Sequence, residues 1–140
     1  PDCLNVAEER LRDVNIQLYR KNVLEPLRLG NRNFESVGLN YLLHCLPGDM
    51  GEKCRVFDHV NNYLASGGTV FGSTLVQDDV PNILSVAVMK LYNATGIFSN
   101  ADDTTGGLRR ELEKRYRDSH VRRIGNAALF WAREDGRAEA

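Results

Sequence analysis

The chain has 140 residues, 42% of them hydrophobic and 26% charged, with a net charge of −1. That is enough apolar chain for one domain with a real core, and so balanced a charge gives no basic field for nucleic acid. No run approaches the roughly 18 apolar residues of a membrane span, and the first twenty residues are polar and charged rather than a secretory leader, so a cytoplasmic protein is expected. Cys3, Cys45 and Cys54 are odd in number and lack CxxC spacing, so all three are expected to be reduced, without a disulfide framework or a zinc site.

Asp2 can cap a helix whose Leu4, Ala7 and Leu11 share a face and which should end near Asp13. Val14, Ile16 and Leu18 then alternate with Asn15, Gln17 and Tyr19, a period-two run that predicts a short strand near a sheet edge, with residues 22–26 as its exit loop. Residues 27–33, with Gly30, Asn31 and Asn33, read as surface loop. The apolar run that begins at Phe34 is bounded by turn residues, as a buried strand would be, and ends in Asn40, Tyr41 and His44 before Pro47-Gly48. In an open parallel sheet, ligands bind beyond the carboxyl ends of such strands, so these polar residues stand where chemistry would be done.

A helix is predicted over residues 51–65, with Cys54, Phe57, Val60, Tyr63 and Leu64 near one face and Ser66-Gly67-Gly68 as its stop. Residues 69–75 form the next buried strand, in which Gly72 marks a close approach by another backbone or side chain. Strand, helix and strand make a βαβ unit with parallel pairing. Over residues 81–95 the apolar side chains Ile83, Leu84, Val86, Ala87, Val88, Met89 and Leu91 run almost all round the helix, which predicts burial on more than one side before Gly96 stops it. Asp103 and Thr104 are candidate caps for a helix through Leu108, Leu112 and Tyr116, whose charged residues 109–117 read as a solvated face. Residues 121–125 and 127–133 read as two strands which a tight connection around Asn126 must pair antiparallel. The expectation is an α/β fold over residues 1–133, largely parallel with a carboxyl-terminal antiparallel hairpin, followed by a polar tail over residues 134–140. Val37, Leu39, Val70, Phe71, Leu129 and Phe130 should be buried in it.

The motif Asn40-Tyr41-Leu42-Leu43-His44-Cys45-Leu46-Pro47-Gly48, read with its flanks, resembles the fourth-strand motif of class I S-adenosylmethionine-dependent methyltransferases, especially small bacterial and fungal enzymes. The likeness runs from Pro1 to about Arg133. It implies a Rossmann-like sheet of order 3-2-1-4-5-7-6, with the cofactor across the ends of strands one, two and four. This chain would supply strands three to seven and the helix after strand two. Strands one and two are missing, and with them the glycine-rich cofactor loop and the acidic residue that holds the ribose. Neither Gly67-Gly68 nor Gly106-Gly107 has the strand-glycine-helix context to replace that loop. The resemblance implies methyl transfer from S-adenosylmethionine to a small-molecule acceptor, with this chain as the carboxyl-terminal part of the enzyme. The alternative is a non-catalytic methyltransferase-like subunit that uses its open sheet edge to bind a protein partner. An amino-terminal segment of a longer enzyme, a second copy in a homodimer, or a rearranged fold could each complete the sheet. The start at Pro1 rather than Met favours the first.

By the same resemblance, Asn22 and Val23 match the loop that holds adenine, where an Asn bonds the exocyclic amine and the next apolar residue packs on the ring. Taken alone, Asn22 reads as closing a turn. Asn40 and Tyr41 would meet the amino-acid part of the cofactor, although Tyr41 also reads as a core aromatic with a satisfied hydroxyl. Methyl transfer is an in-line displacement, so the protein aligns the reactants and, for a protonated acceptor, removes a proton. His44 suits that task as general base, because imidazole titrates near neutral pH. Its position resembles the His of the HDW-type motif of plant O-methyltransferases, with Cys45-Leu46 in place of the acidic-aromatic pair; a His bonded locally at a strand end is the other reading. Asn93, Phe98 and Asn100 would shape the acceptor entry, with apolar walls and a few amides suited to a small apolar or aromatic molecule. His59 and His120 are expected at the surface, and no metal is expected.

Overall fold

The computed structural model describes residues 2–78 and 83–134. Four strands, β1 (Phe34–Asn40), β2 (Leu64–Leu75), β3 (Asp118–Ile124) and β4 (Ala127–Arg133), form one sheet in the order β1-β2-β4-β3. β1 and β2 are parallel, whereas β4 runs antiparallel to both β2 and β3. This is the 4-5-7-6 half of the sheet order that the resemblance implies, and its parallel part is reduced to one pair. The hairpin turns at Gly125, whose φ of 59° is the left-handed conformation that a two-residue turn requires, followed by Asn126.

Helices cover one face. α1 (Asp2–Arg10) precedes the sheet; α2 (Met50–Lys53) and α3 (Arg55–Asn61) connect β1 to β2; α4 (Ile83–Ala94) and α5 (Thr105–Glu113) connect β2 to β3. Asp49 starts α2 with a reciprocal capping box to Glu52, and Thr104 caps α5 by accepting from Gly107 N–H at 3.0 Å. Between helices and sheet lie Val56, Phe57, Val60, Leu108, Leu112 and Tyr116, facing Leu39, Val70, Val121, Ala128, Phe130 and Ala132. Phe57 meets Phe130 and Tyr116 edge-on, with centroids 5.6 and 6.2 Å away. Arg115 grips Asp58 with two hydrogen bonds of 2.7 and 3.1 Å and Glu111 with a third of 2.7 Å, which ties the end of α5 to α3.

Several expectations are corrected. Residues 14–19 form no strand: in the implied order a third strand pairs only with a second, and an unpaired strand leaves its backbone groups without partners. Phe71 and Leu129 are 42% and 41% exposed rather than buried, and Val37 is half-buried. Residues facing each other across the strands share a face, and Phe71, Leu129 and Trp131 lie on the face that no described helix covers. Burial therefore alternates along β4, as in a sheet covered on one side. Ser66-Gly67-Gly68 do not stop a helix, since α3 ends at Asn61. They sit inside β2 where its pairing jumps from Phe34↔Leu64 to Ser36↔Thr69, and Gly67, with φ of 72°, allows the bulge. Among the described side chains of α4, Met89 is buried while Val88, Leu91 and Tyr92 are exposed, because the helix lies beyond the end of β2 rather than under the sheet; the side chains of Ile83 and Leu84 lie outside the described residues. The expected start of that helix at Pro81 and the tail from residue 135 lie outside the described residues. The Gly72 expectation holds, with Leu39 on one side of it and Phe130 on the other.

Candidate active site

β1 ends at Asn40, and the chain turns sharply at Tyr41, whose φ of 54° places a non-glycine residue in the left-handed region. One more ladder bond, Tyr41 N–H to Ser73 O at 2.8 Å, closes the β1–β2 pairing. The turn throws the Tyr41 ring outward at 60% exposure, so it is not a core aromatic. Asn40 is exposed beside it and accepts from the Ser73 hydroxyl at 3.4 Å. A short 3-10 turn (Leu43–Cys45) then carries His44 under the end of β2.

Where β1 stops, β2 still needs partners. Val76 N–H points to β4 and donates to Asn126 O, so Leu75 N–H points the other way, past the end of β1. His44 and Asn100 fill the gap: His44 Nδ1 accepts from Leu75 N–H at 3.3 Å, and Asn100 Nδ2 donates to Leu75 O at 3.1 Å. Thr74 Oγ1 accepts from His44 N–H at 3.1 Å and lies 3.4 Å from Nδ1. His44 is 3% exposed, with the Phe98 ring edge-on at 4.8 Å and Tyr41 at 5.9 Å. Burial, aided by the Lys53 ammonium, lowers its pKa and holds the ring neutral.

Residues 98–103 close over this corner, pinned at each step. Ser99 N–H donates to His44 O at 2.8 Å; Asn100 N–H and Oδ1 bond the Asn93 amide at 3.0 and 2.9 Å; Asp103 O accepts from Gln77 N–H at 2.7 Å. Beneath runs a buried ion pair, Lys53 Nζ at 2.7 Å from both carboxylate oxygens of Asp103, with a further bond from Lys53 to Ser99 O. A cleft of ≈ 350 Å³ lies outside this loop, lined by Asn93, Phe98, Ser99 and Ala101 and by Asp49, Asp102 and Asp103.

The expected acceptor residues therefore separate. Phe98 and Asn93 line the cleft, but Asn100 is fully buried and both amides are spent on each other and on backbone. The wall also holds more carboxylates than the apolar pocket expected. Asp103, a candidate helix cap in the sequence, pairs with Lys53 instead, and Thr104 takes the cap. On the adenine side, Asn22 forms an Asx turn, accepting from Leu24 N–H at 3.1 Å and donating to Glu25 Oε1 at 2.9 Å. Val23 is half-buried against the core, and the loop is held from below by the His59 ring, 3.2 Å from Leu24 O, so His59 is an anchor rather than a surface residue. Sequence reading missed Lys53, Asp103 and Thr74; a lysine between the Asp49 capping box and a run of apolar residues was the available hint for the first.

Strain at Tyr41 is testable. Asparagine tolerates the left-handed conformation, so Tyr41→Asn is expected to raise folding stability by up to about 1 kcal/mol in urea titration while removing the exposed ring. A lower midpoint would show that the turn stores no strain.

No family model matches the chain. It is 34% identical over its whole length to an O-methyltransferase of Aspergillus niger, covering 76% of that relative. It is 33% identical to methyltransferase aurB of Calcarisporium arbuscula, over 93% of this chain and 57% of the relative. Among solved structures, the N-methyltransferase NodS of Bradyrhizobium japonicum, in complex with S-adenosyl-L-homocysteine, superposes with a TM-score of 0.65 at 14% identity, over 96% of this chain and 62% of its own. The chain spans about half to three-fifths of the length of the first curated relatives it matches.

Proposed function

Because this chain belongs to the class I S-adenosylmethionine-dependent methyltransferases, we propose that the whole protein transfers a methyl group from S-adenosylmethionine to a small-molecule acceptor and that this chain is its carboxyl-terminal part. The observation that carries the reading is the convergence at the end of β1: exposed Asn40 and Tyr41 on one side, His44 in the middle, and the cleft walled by Phe98 on the other. S-adenosylmethionine, when bound, supplies an electrophilic methyl carbon. Asn22 and Val23 would hold its adenine, and Asn40 and Tyr41 its amino-acid part. An outward-turned ring in a strained turn and a half-buried Val fit such a ligand. Phe98 orients the acceptor against the cleft wall, and the loop over residues 98–103, which Asn93 pins through Asn100, keeps it in line; alignment of this kind supplies much of the rate of a displacement.

The open edge of β1 is a place for an amino-terminal segment or a second copy to add strands. The three free cysteines suit a reducing cytoplasm.

Calorimetry tests the reading. The 140-residue chain alone is expected to hold S-adenosylmethionine weakly or not at all, since it keeps adenine-side contacts without a glycine-rich turn, and micromolar affinity as a monomer would contradict this. A longer form with a strand and glycine-rich turn upstream should bind the cofactor and pass labelled methyl to a small hydroxylated acceptor. Failure of that form to bind would overturn the methyltransferase reading.

A further inference from the structure

The hydrogen bonds around His44 bear on which of its two ring nitrogens can act. A general base must present an unprotonated nitrogen to the acceptor. In neutral imidazole one nitrogen carries the proton and the other a lone pair, and which is which is set by the partner that each one meets. Leu75 N–H is a donor and nothing else, and it is aimed at Nδ1 from 3.3 Å. The Thr74 hydroxyl, 3.4 Å from the same nitrogen, already accepts from His44 N–H and can turn its own hydrogen to Nδ1. Both neighbours are satisfied only if Nδ1 holds the lone pair. The proton then lies on Nε2, across the ring from the sheet, where no described residue bonds it. The opposite tautomer would set Nδ1–H against Leu75 N–H and leave a part-buried backbone donor without an acceptor, at a cost of about 1 kcal/mol or more.

We propose that His44 serves as a hydrogen-bond donor through Nε2–H to an acceptor oxygen that is already ionised, and that it does not remove the acceptor's proton. This rests on the methyl-transfer reading above. The acceptor hydroxyl loses its proton to water before transfer; the oxygen's electron pair then forms the bond to the methyl carbon, and sulfur keeps the pair of the bond that breaks. No base is consumed in that step. A donor aimed at the oxygen enlarges the ionised fraction at neutral pH, so the substrates favoured are small molecules with an acidic hydroxyl, enols or phenols. The charged groups that face the ring agree with a neutral donor. Lys53, from α2, opposes a second proton on the imidazole, and its Asp103 partner, from the loop before α5, is turned to Lys53 through both oxygens. At the ends of β1 and β2 the ring meets Tyr41, the Thr74 hydroxyl and Leu75 N–H.

Nitrogen NMR of the full chain labelled in histidine tests the assignment directly. The sequence has three histidines, so His120→Gln, together with the set of signals lost in His44→Gln, identifies the His44 signals. At pH 7 the His44 ring is expected to show a protonated Nε2 and an unprotonated Nδ1; the reverse pattern, or a doubly protonated ring, would overturn the proposal. In the longer, active form, His44→Gln keeps an amide donor near the place of Nε2 but cannot take up a proton. Its turnover should fall less than about tenfold, where loss of a general base costs about 10²–10⁴-fold. A fall of a hundredfold or more in folded His44→Gln would restore the base and refute the donor. Absence of methyl transfer in the unaltered longer form would instead overturn the methyltransferase reading, while the NMR pattern would still decide the tautomer.

Discussion

Asp103→Ala is expected to lower folding stability by about 3–5 kcal/mol. The side chains of Lys53 and Asp103 are 0% and 3% exposed, and two bonds of 2.7 Å join them. Removing the carboxylate leaves a buried ammonium whose remaining partner among the described residues is the Ser99 carbonyl. Urea titration should show the loss as a lower midpoint with little change in slope, and a loss under about 1 kcal/mol would mean that water reaches Lys53 after all. Removing both charges should behave differently. Burial pushes the Asp103 carboxyl up in spite of the pull of Lys53, so desolvation outweighs attraction even with the pair intact. The double variant Lys53→Met with Asp103→Leu is therefore expected to be neutral or stabilised. Its defect should appear in the proposed methyl transfer, as a lower turnover, because the pair anchors the loop over residues 98–103 through Ser99 and Asp103.

Gly72→Ala is expected to cost more than about 3 kcal/mol or to prevent folding, well beyond what an exposed strand glycine would lose. Gly72 is paired with Leu39 in β1 and Phe130 in β4. A methyl group there would collide with the Leu39 carbonyl, standing 2.7 Å from its carbon and 2.8 Å from Phe130 Cζ. A carbonyl in a strand cannot rotate aside, so β1 would have to leave the sheet or Phe130 leave the core. Gly38→Ala is the control: its methyl would meet the end of the Phe71 side chain at 3.3 Å, and that ring is exposed and can yield. Thermal melts should separate the two widely. Similar losses would show that helix-side packing, and not strand approach, is what Gly72 protects.

Much of this architecture could be read from short stretches of chain because the forces involved are local. The Thr104 cap, the hairpin around Gly125–Asn126 and the strand ending at Asn40 each depend on backbone geometry within a few residues, and a glycine inside a strand announced the close approach at Gly72 without saying that Leu39 and Phe130 make it. The resemblance to the methyltransferase family was read from one continuous segment, Asn40–Gly48, and its flanks, and the relatives of the chain bear out the family.

What lay beyond local reading depends on partners distant in sequence. Residues 14–19 alternate as a strand does, yet a strand exists only through a neighbour, and none of the described strands pairs with them. Phe71 and Leu129 are apolar in apolar runs, but exposure is decided by which sheet face the helices cover. Lys53 and Asp103 are fifty positions apart, and each looks like a surface charge until the fold removes both from water together. The residue type of His44 suggests a base in any context. The role proposed for it turns on which neighbour meets Nδ1, and that neighbour is a backbone N–H thirty-one residues away, left over where one strand of a parallel pair ends before the other.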